Sequence, residues 1–512
     1  MTLTAGEQYL LELINRARLD PAAEAARYNM NLNTGLTHGT IGTGALQVLA
    51  PDAALEVAAD DHSIWMLQTS QFSHTGRNGS NAGDRIQSSG YRFEGTWGWR
   101  ENLAWVGSTG SVDMGDAIEQ HHAGLFRSHS HRVNTFASDM QEIGIGQVAG
   151  QFTQGGTTYN SSMLTENFAM SGGGAYVTGV AYRDSDRDQF YSMGEGQNGV
   201  WFRAGGQIDR TTAAGGYGVH VGLQDDLTVS IGRNDQLLAR VEVDTSAGNV
   251  KLDLVTQANG TRMLETSGDT TLVWGVGNAR LLGSANLELT GSGVANTLEG
   301  NRGANRMDGA GGNDTMRGMD GNDTMMGGAG NDRVYGGNGH DRVVGNDGTD
   351  RLNGGNGHDK LFGGRDADVL IGERGNDVLW GQLGNDRLYG GDGNDIVLGN
   401  AHRDAMYGGN GNDRMDGGAG DDRMEGGAGA DLFIFSAHRD TVVDFQDNVD
   451  TIAVRGYLRD GFGSGTTMTV AEAMGFGEIR GGNAVFDFGN NHVLTVIGVE
   501  DLSILANDMI II

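Results

Sequence analysis

The chain has 512 residues, no cysteine and a formal net charge of −31 at pH 7. This length is enough for three or four domains, and the negative charge argues against nucleic acid or an anionic membrane as an electrostatic partner. The lack of cysteine excludes disulfides, thiolate catalysis and cysteine-based zinc sites. Because the chain lacks both a basic start followed by an apolar run and any long apolar stretch, we expect neither a cleaved signal peptide nor a membrane span.

Two amphipathic helices open the chain. The first begins at a capping box formed by Thr4 and Glu7 and is predicted to end near Pro21. The second begins near Pro51 and is expected to end before Phe72. Its apolar face consists of Leu55, Ala58, Ala59, His62, Trp65 and Met66. His62 is therefore predicted to be a core residue.

A series of short motifs follows the second helix. In chain order they are Phe72-Ser-His74-Thr-Gly76, Asp84-Arg-Ile86, Gly90-Tyr91, Glu101-Asn-Leu-Ala104, Ser130-His131-Arg-Val-Asn134 and Glu142-Ile-Gly-Ile-Gly146. Their order and spacing resemble the bacterial branch of the CAP superfamily (cysteine-rich secretory proteins, antigen 5, pathogenesis-related 1). The resemblance implies an α-β-α sandwich over residues 1–170, with a central cleft lined by two histidines and two acidic residues.

Carried over by motif, the cleft histidines are His74 and His131, and the first acid is Glu101. Residues 125–128 stand where the second acid is expected, and Glu119 is the nearest substitute. Such a set would suit a divalent transition metal such as Zn²⁺, and an open position could activate water. The alternative is a hydrogen-bonded network that ties the loops over the sheet.

Further imidazoles and indoles lie near these motifs. The histidines His121, His122 and His129 are predicted to be exposed on a helix. The tryptophans Trp97, Trp99 and Trp105 flank Glu101. These rings could form an apolar wall for a lipid or glycan, or they could pack in the core.

A β-rich middle domain is predicted for residues 172–275, where alternating segments at 176–180 and 199–202 indicate strands. Loop 184–195 lies between these strands and matches an EF-hand-type calcium loop. Its ligands are the carboxylates of Asp184, Asp186, Asp188 and Glu195 and the backbone carbonyl of Phe190.

Position 6 of this loop, normally glycine, is Gln189, which is expected to strain the turn. The loop resembles those of calcium-binding Ig-like domains of bacterial surface proteins, which implies a β-sandwich. The alternative is a solvated acidic turn. Residues 203–275 carry no recognisable chemical motif.

A nine-residue repeat runs without a break from Asn296 to Asp431 and predicts a solenoid over residues 276–435. The consensus is G-G-x-G-x-D-x-U-x, where U is a large apolar residue that should face inward. The sixth position holds two asparagines, Asn296 and Asn305, and then fourteen aspartates: Asp314, Asp323, Asp332, Asp341, Asp350, Asp359, Asp368, Asp377, Asp386, Asp395, Asp404, Asp413, Asp422 and Asp431.

Two repeat units make one coil, so residues eighteen apart, such as Asp332 and Asp350, should stack about 4.8 Å apart. Calcium can bridge them, because the glycine turns bring carbonyl oxygens beside the carboxylates. Without calcium the carboxylates repel one another, and we expect the repeats to be disordered. The repeat resembles the RTX (hemolysin-type calcium-binding) family, which implies a parallel β-roll and about a dozen calcium ions.

The segment after the repeats, residues 436–512, resembles the β cap that follows RTX repeats. The chain ends in Asp508-Met-Ile-Ile-Ile512. An acidic residue before a terminal apolar run looks like the uncleaved signal of type I secretion substrates from Gram-negative bacteria. The alternative is a buried final strand, and the two are compatible.

The combined reading is a multidomain, secreted, calcium-binding protein whose CAP domain binds a ligand or partner at the His/Glu cleft. An alternative is a metal-dependent hydrolase that uses Glu101 with His74 and His131. The sequence does not establish an enzyme, since H-E-x-x-H and G-x-S-x-G motifs are absent. A third alternative is an extracellular matrix or adhesin protein.

Overall fold

The computed structural model describes residues 3–455 and 468–512. The chain divides into two compact units, Met1–Leu287 and Glu288–Ile512. Among the described residues, no helix has both the length and the apolar character needed to cross a membrane.

The first part of the first unit carries six helices. They are α1 (Ala5–Leu19), α2 (Pro21–Arg27), α3 (Ala53–Thr69), α4 (Ala82–Ser88), α5 (Met114–Arg127) and α6 (His129–Thr135), with a short 3₁₀ turn at Arg77–Gly79. The predicted capping box is present, because Oγ1 of Thr4 accepts from the N–H of Glu7 and Oε2 of Glu7 accepts from the N–H of Thr4. Pro21 starts α2 immediately after α1 ends.

Four strands form the sheet between these helices. They are β1 (Ala50–Pro51), β2 (Trp97–Ser108), β3 (Glu142–Gln154) and β4 (Thr157–Ser171), in the order β1-β3-β4-β2. Only the β1–β3 pairing is parallel. The α-β-α sandwich predicted for this region is therefore confirmed.

The two faces of β3 explain the three layers. Ile143 and Ile145 pack with α1 and α5 on one face. On the other face a Cβ at Gly144 or Gly146 would overlap the backbone of α3. These two glycines let the helix lie directly on the sheet. Of its predicted apolar face, Leu55, Ala58, Ala59, His62 and Met66 are buried.

The second part of the first unit is a two-layer β structure. Its strands are β5 (Ala175–Asp184), β6 (Val200–Ala204), β7 (Gln207–Arg210), β8 (Gly216–Val221), β9 (Leu227–Arg233), β10 (Gln236–Val243), β11 (Val250–Gln257), β12 (Arg262–Thr266), β13 (Thr270–Trp274) and β14 (Asn278–Leu281). One sheet has the order β8-β5-β11-β12-β14 and the other β7-β6-β9-β10-β13. The stacked rings of Phe202 and Tyr217, one from each sheet, lie 3.6 Å apart between centroids. We call these two sheets the sandwich.

The helical part and the sandwich are joined by buried polar contacts. Nζ of Lys251 lies 2.6 Å from Oε2 of Glu12 on α1. Asn249 donates from Nδ2 to the carbonyls of Val48 and Gln141 at 3.0 and 2.8 Å. Residues 276–287 fall in the first compact unit, in which β14 pairs in parallel with β12.

The second unit is a parallel β-roll, as predicted. Its strands are β15 (Glu288–Ser292), β16 (Thr297–Glu299), β17 (Arg306–Ala310), β18 (Thr315–Asp320), β19 (Thr324–Ala329), β20 (Arg333–Asn338), β21 (Arg342–Asp347), β22 (Arg351–Asn356), β23 (Lys360–Arg365), β24 (Val369–Arg374), β25 (Val378–Leu383), β26 (Arg387–Asp392), β27 (Ile396–Ala401), β28 (Ala405–Asn410), β29 (Arg414–Ala419) and β30 (Arg423–Ala428). Alternate strands pair in two parallel sheets, with Val334 opposite Leu352. The large apolar residue that stands two positions after the sixth residue of each repeat unit is buried in every unit, from Leu298 to Phe433.

The end of the chain continues the roll. Its elements are β31 (Leu432–Phe435), β32 (Arg439–Val442), β33 (Thr451–Val454), α7 (Val470–Met474), β34 (Gly477–Arg480), β35 (Asn483–Asp487), β36 (Val493–Val496) and β37 (Met509–Ile511), with a 3₁₀ turn at Leu502–Ala506. The last strand pairs in parallel with β33, and Met509 is buried while Ile512 is exposed. Residues 456–467 of the predicted cap lie outside the described residues.

Candidate functional site

The aspartates of the repeat form two buried ladders along the roll. The backbone N–H of Asp332 donates to Oδ1 of Asp350 at 2.8 Å. Every ladder aspartate from Asp314 to Asp422 makes the same bond to the residue eighteen positions later. The second oxygen, Oδ2, of all fourteen predicted aspartates is buried and has no hydrogen-bond partner. A row of unpaired carboxylate oxygens is costly unless a cation neutralises it.

Glycine at the first repeat position leaves a space in front of each free oxygen. A Cβ added to Gly336 would clash with both Oδ2 of Asp341 and the carbonyl oxygen of Gly354, which lies one turn further along. The same pair of oxygens faces Gly309, Gly318, Gly345, Gly372 and Gly390. Oxygen atoms from two stacked turns therefore converge on one space, which is the donor set that Ca²⁺ prefers.

The electrostatics of the ladder favour a cation. Burial, followed by the nearby carboxylates of Asp350 and Asp386, raises the pKa of Asp368 to about 8. Burial and the neighbouring Asp422 and Asp386 likewise raise the pKa of Asp404 to about 8. A bound Ca²⁺ supplies the positive charge that lets such carboxylates remain ionised at neutral pH.

The ladder extends beyond the residues predicted from the repeat. Asp440 stands nine residues after Asp431, and its Oδ2 is also buried without a partner. Asp450 accepts the N–H of Asp431 at 3.0 Å, after one inserted residue. The nine-residue spacing to Asp440 was a usable signal, but Phe435 replaces the first glycine of that unit and ends the consensus.

Loop 184–195 brings three of its predicted ligands together. Carboxylate oxygens of Asp184, Asp186 and Asp188 lie within 4.8 Å of one another. Oδ1 of Asp184 is buried and has no hydrogen-bond partner. Glu195 lies across the loop and accepts from the N–H groups of Ser185 and Ser192, at 2.6 and 3.0 Å.

The backbone of this loop shows the expected strain. Gln189 adopts a φ of 62°, and Arg187 a φ of 67°. Residues with side chains rarely adopt this left-handed conformation, and glycine is the residue normally found there. The conformation of the EF-hand-type turn is thus present although glycine is absent.

The cleft of the helical part pairs His74 with Glu101. Nδ1 of His74 lies 2.8 Å from Oε1 of Glu101. The other oxygen of this buried carboxylate is bound by the guanidinium of Arg85, which also donates to the carbonyls of His74 and Ser80. The sequence motif contained Arg85, but its role as the cation beside Glu101 was not predicted.

Of the other two predicted cleft residues, His131 lies near His74, whereas Glu119 bonds to a residue of α1. Burial, and then the proximity of His74 and His129, lowers the pKa of His131. Glu119 is exposed and accepts from the hydroxyl of Tyr9 at 3.1 Å. Among the described residues, three or more His, Asp or Glu side chains come within 4.8 Å of one another only at Asp184, Asp186 and Asp188.

Side-chain hydrogen bonds connect the His131 motif to β2. Asn134 donates to the carbonyl of Glu101 at 3.1 Å and to Oδ1 of Asn102 at 2.9 Å. Asn102 in turn donates to the carbonyl of His131 at 3.3 Å. The motif therefore fastens α6 to β2, in the manner of the network alternative.

A groove of about 820 Å³ lies between α3 and the segment from Arg77 to Ser89. One wall, on α3, carries the exposed Val57 and Ile64 and the half-buried Trp65 beside the polar Asp61 and Gln68. The opposite wall is polar and includes Arg77, Asn78, Ser80, Arg85 and Ser88. Arg85 of this wall also binds Glu101, so the groove adjoins the His74–Glu101 pair.

His62 lies in the floor of this groove. Its Nε2 is within 2.9 Å of the carbonyl of Ser73, so Nε2 carries the proton. Burial, followed by Arg85, lowers the pKa of His62 to about 4, and its buried Nδ1 has no hydrogen-bond partner. Near Gly76 this Nδ1, the Arg85 guanidinium and the Ser80 hydroxyl face one small space, each 3.0–3.2 Å from the position of an added Cβ.

The remaining histidines and tryptophans differ in burial, and two of the histidines are not exposed as predicted. His121 and His122 are buried, not exposed: His121 bonds to Ser162 on β4, and His122 bonds to Glu24 on α2. His129 is exposed as predicted. Trp105 packs against Phe152 and Tyr159. Trp97 and Trp99 are exposed.

Comparison with protein families identifies two regions. Residues 11–160 match the model of the cysteine-rich secretory protein family, CAP. Overlapping segments from 290 to 433 match the model of the RTX calcium-binding nonapeptide repeat. A search of curated proteins finds no match.

Two solved structures are similar over part of the chain. One is an extracellular protein containing a SCP domain from Bacillus anthracis str. Ames, with 21% identity, a TM-score of 0.19, and coverage of 33% of this chain and 44% of the other. The second is the extracellular lipase LipA from Serratia marcescens, with 19% identity, a TM-score of 0.21, and coverage of 46% of this chain and 40% of the other. The chain thus spans less than half the length of either protein.

Proposed function

We propose that this calcium-binding modular protein, which joins a CAP domain to an RTX β-roll, acts outside the cell and carries a hydroxylated lipid in the groove of its CAP domain. The proposal depends on the groove beside α3, where apolar side chains of the helix lie opposite polar side chains of residues 77–89. Polar groups placed beside apolar surface fix the orientation of a bound ligand that has both kinds of surface.

The chemistry of the groove floor favours a hydroxyl head group. The unprotonated Nδ1 of His62 can only accept a hydrogen bond, and the guanidinium of Arg85 can only donate. A hydroxyl can donate to the imidazole and accept from Nε of Arg85, the guanidinium nitrogen without a partner, whereas Nη1 already donates to the carbonyls of His74 and Ser80. An apolar tail could then lie against Val57, Ile64 and Trp65 on α3.

Ligand binding is better supported than metal-dependent hydrolysis. Both oxygens of Glu101 are already engaged, one by His74 and the other by Arg85. A cation at this carboxylate would have to displace the arginine or lie beside its positive charge. Zn²⁺ held by His74, His131 and Glu101 therefore remains the weaker hypothesis.

A fluorescently labelled monoacylglycerol tests the groove. We expect saturable binding to the full-length protein that Ile64→Glu weakens at least tenfold, because a carboxylate would then stand on the apolar wall. Ile208→Glu is the matched control, since Ile208 is exposed by 46% on β7 and Ile64 by 38% on α3. Equal binding by all three proteins, or no binding to the wild type, would contradict the groove assignment.

The second element of the proposal is calcium-driven folding after export by a type I system. The row of unpaired Oδ2 atoms supports it. Where calcium is scarce, the buried carboxylates of the roll lack a neutralising cation, and where calcium is abundant, bound ions supply that charge. Chelation followed by calcium readdition should restore β signal in far-UV circular dichroism cooperatively. A spectrum indifferent to calcium would overturn this element while leaving the lipid assay unaffected.

A further inference from the structure

Loop 184–195 of the sandwich and helix α1 of the CAP domain each pack an aromatic side chain against the core of the other part. Phe190, at loop position 7, packs against the core cluster that contains Leu10 and Leu13 of α1. In the opposite direction, Tyr9 of α1 packs against a sandwich cluster that contains Tyr191. The rings of Tyr9 and Phe190 meet edge to face, 6.2 Å apart. The neighbouring loop residues Phe190 and Tyr191 thus both belong to the contact between the CAP domain and the sandwich.

Other contacts hold the same loop against the helices. The guanidinium carbon of Arg16 lies 4.9 Å from the centre of the Phe190 ring, a cation–π distance. A Cβ added to Gly115, at the start of α5, would meet Cε of Met193 at 2.6 Å. The loop therefore contacts both α1 and α5, and its position is linked to the position of the CAP domain.

The loop conformation is one that the chain does not adopt easily by itself. Arg187 and Gln189 both have left-handed backbone angles, which residues with side chains rarely adopt. Three carboxylates converge within 4.8 Å, where they repel one another. Arg280 binds the side chain and carbonyl of Gln189 from outside the cluster. A cation inside the loop would remove the repulsion and hold the strained turn.

The buried Asp184 shows where that cation would lie. Asp184 is 6% exposed, and its Oδ1 has no hydrogen-bond partner within the loop. Unpaired carboxylate oxygens of this kind are rare in protein interiors and call for a partner. Together with Asp186, Asp188, Glu195 and the carbonyl of Phe190, the site has an oxygen set of EF-hand type.

We propose that Ca²⁺ in loop 184–195 acts as a clasp that fixes the CAP domain on the sandwich, because the residue that offers its carbonyl to the ion also inserts its ring against α1. The ion sets the turn, and the turn sets Phe190. The ion pair between Lys251 and Glu12 holds the deeper part of the junction independently. Loss of this calcium therefore loosens the loop and the part of α1 from Tyr9 to Arg16 without separating the two parts.

Hydrogen exchange of the full-length protein at saturating calcium tests the clasp. The double variant Asp186→Asn/Asp188→Asn changes two exposed side chains and leaves the roll folded. We expect it to bind one calcium ion fewer and to show roughly tenfold faster amide exchange in the loop and in α1 from Tyr9 to Arg16. Peptides from the roll should exchange as in the wild type.

Two further variants make the result specific. Phe190→Ala keeps every ligand, so it should retain the calcium ion but reproduce the faster exchange of α1. Asp225→Asn/Asp226→Asn alters two exposed aspartates of the same sandwich and should change neither. Wild-type exchange of α1 in both loop variants would overturn the proposal, and so would an unchanged calcium count in the double variant.

Discussion

Asp422 donates its backbone N–H to Oδ1 of Asp440 over 3.1 Å, and Oδ2 of Asp440 is buried without a partner. Burial and the adjacent carboxylate of Asp422 raise the pKa of Asp440 to about 9. The ladder therefore continues past the last nonapeptide, into a segment where the glycines have been replaced. Backbone pairing between turns, and not the glycine motif, places this carboxylate.

Replacing one ladder aspartate tests whether the free oxygens bind calcium. In Asp395→Asn the amide can still accept from the N–H of Asp377, but an NH₂ group replaces the free Oδ2. We expect the calcium midpoint for folding, followed by far-UV circular dichroism, to rise about tenfold, which corresponds to about 1.4 kcal/mol. The control is Asp392→Asn, three residues earlier on the exposed surface. Equal midpoints for the two variants would argue against Asp395 as a ligand.

A single methyl group should obstruct a calcium position. Gly336→Ala places a Cβ against Oδ2 of Asp341 and the carbonyl of Gly354, so we expect the calcium-loaded roll to lose about 1–3 kcal/mol of stability. Denaturant unfolding at saturating calcium measures the change. In the control, Gly293→Ala, the methyl group meets no atom within 4 Å. Similar losses in both variants would indicate a backbone effect and not an occupied space.

The buried lysine of the first unit should be essential for its stability. Lys251 lies between Glu12 and Asp253, and Lys251→Met would leave both carboxylates buried without their cation. We expect a loss of about 3–5 kcal/mol. Near-UV circular dichroism during denaturation reports on this unit, which contains six of the seven tryptophans. Lys360→Met, at the exposed second lysine of the chain, should change little; if it costs as much, the effect is not due to burial.

The CAP domain should lose stability as the pH rises through neutrality. Burial raises the pKa of Glu166 to about 7, although Asn102 donates a hydrogen bond that lowers it. Because the folded value exceeds the ordinary 4.5, the contribution of Glu166 is complete below pH 4.5 and is lost as the pH rises through 7. Relative to wild type, Glu166→Gln should gain up to roughly 3 kcal/mol above pH 8.

Thermal unfolding from pH 5 to pH 9, with calcium present, measures this difference. The control is Glu94→Gln, because Glu94 is exposed and its removal should shift the curve equally at every pH. A constant difference between wild type and Glu166→Gln across the range would show that the carboxyl group does not change its ionisation.

Prediction from the sequence succeeded where a pattern repeats or a motif is local. The nine-residue period placed every inward residue from Leu298 to Phe433, since each turn pairs with the next at constant register. The capping box of α1 was also read directly. Burial of His121 and His122 was not, because their partners Ser162 and Glu24 are distant in the chain.

The cleft shows the same division. The motifs brought His74 and Glu101 to one place, and the structure pairs them at 2.8 Å. Arg85 was seen only as part of a motif, since no local rule states that its guanidinium will reach Glu101 across the cleft. Glu119 followed from sequence distance alone, and the turn of α5 directs it toward Tyr9.

The sequence by itself determined the roll, its calcium chemistry and the type of the N-terminal domain. These depend on spacing along the chain, which sets the register of turns and the order of motifs. Only the tertiary structure decided which charges face one another, Arg85 with Glu101 and Lys251 with Glu12. It also decided that the ring of Phe190 packs against α1. Such contacts join residues far apart in sequence, and their energy depends on burial and distance, which exist only after the layers have packed.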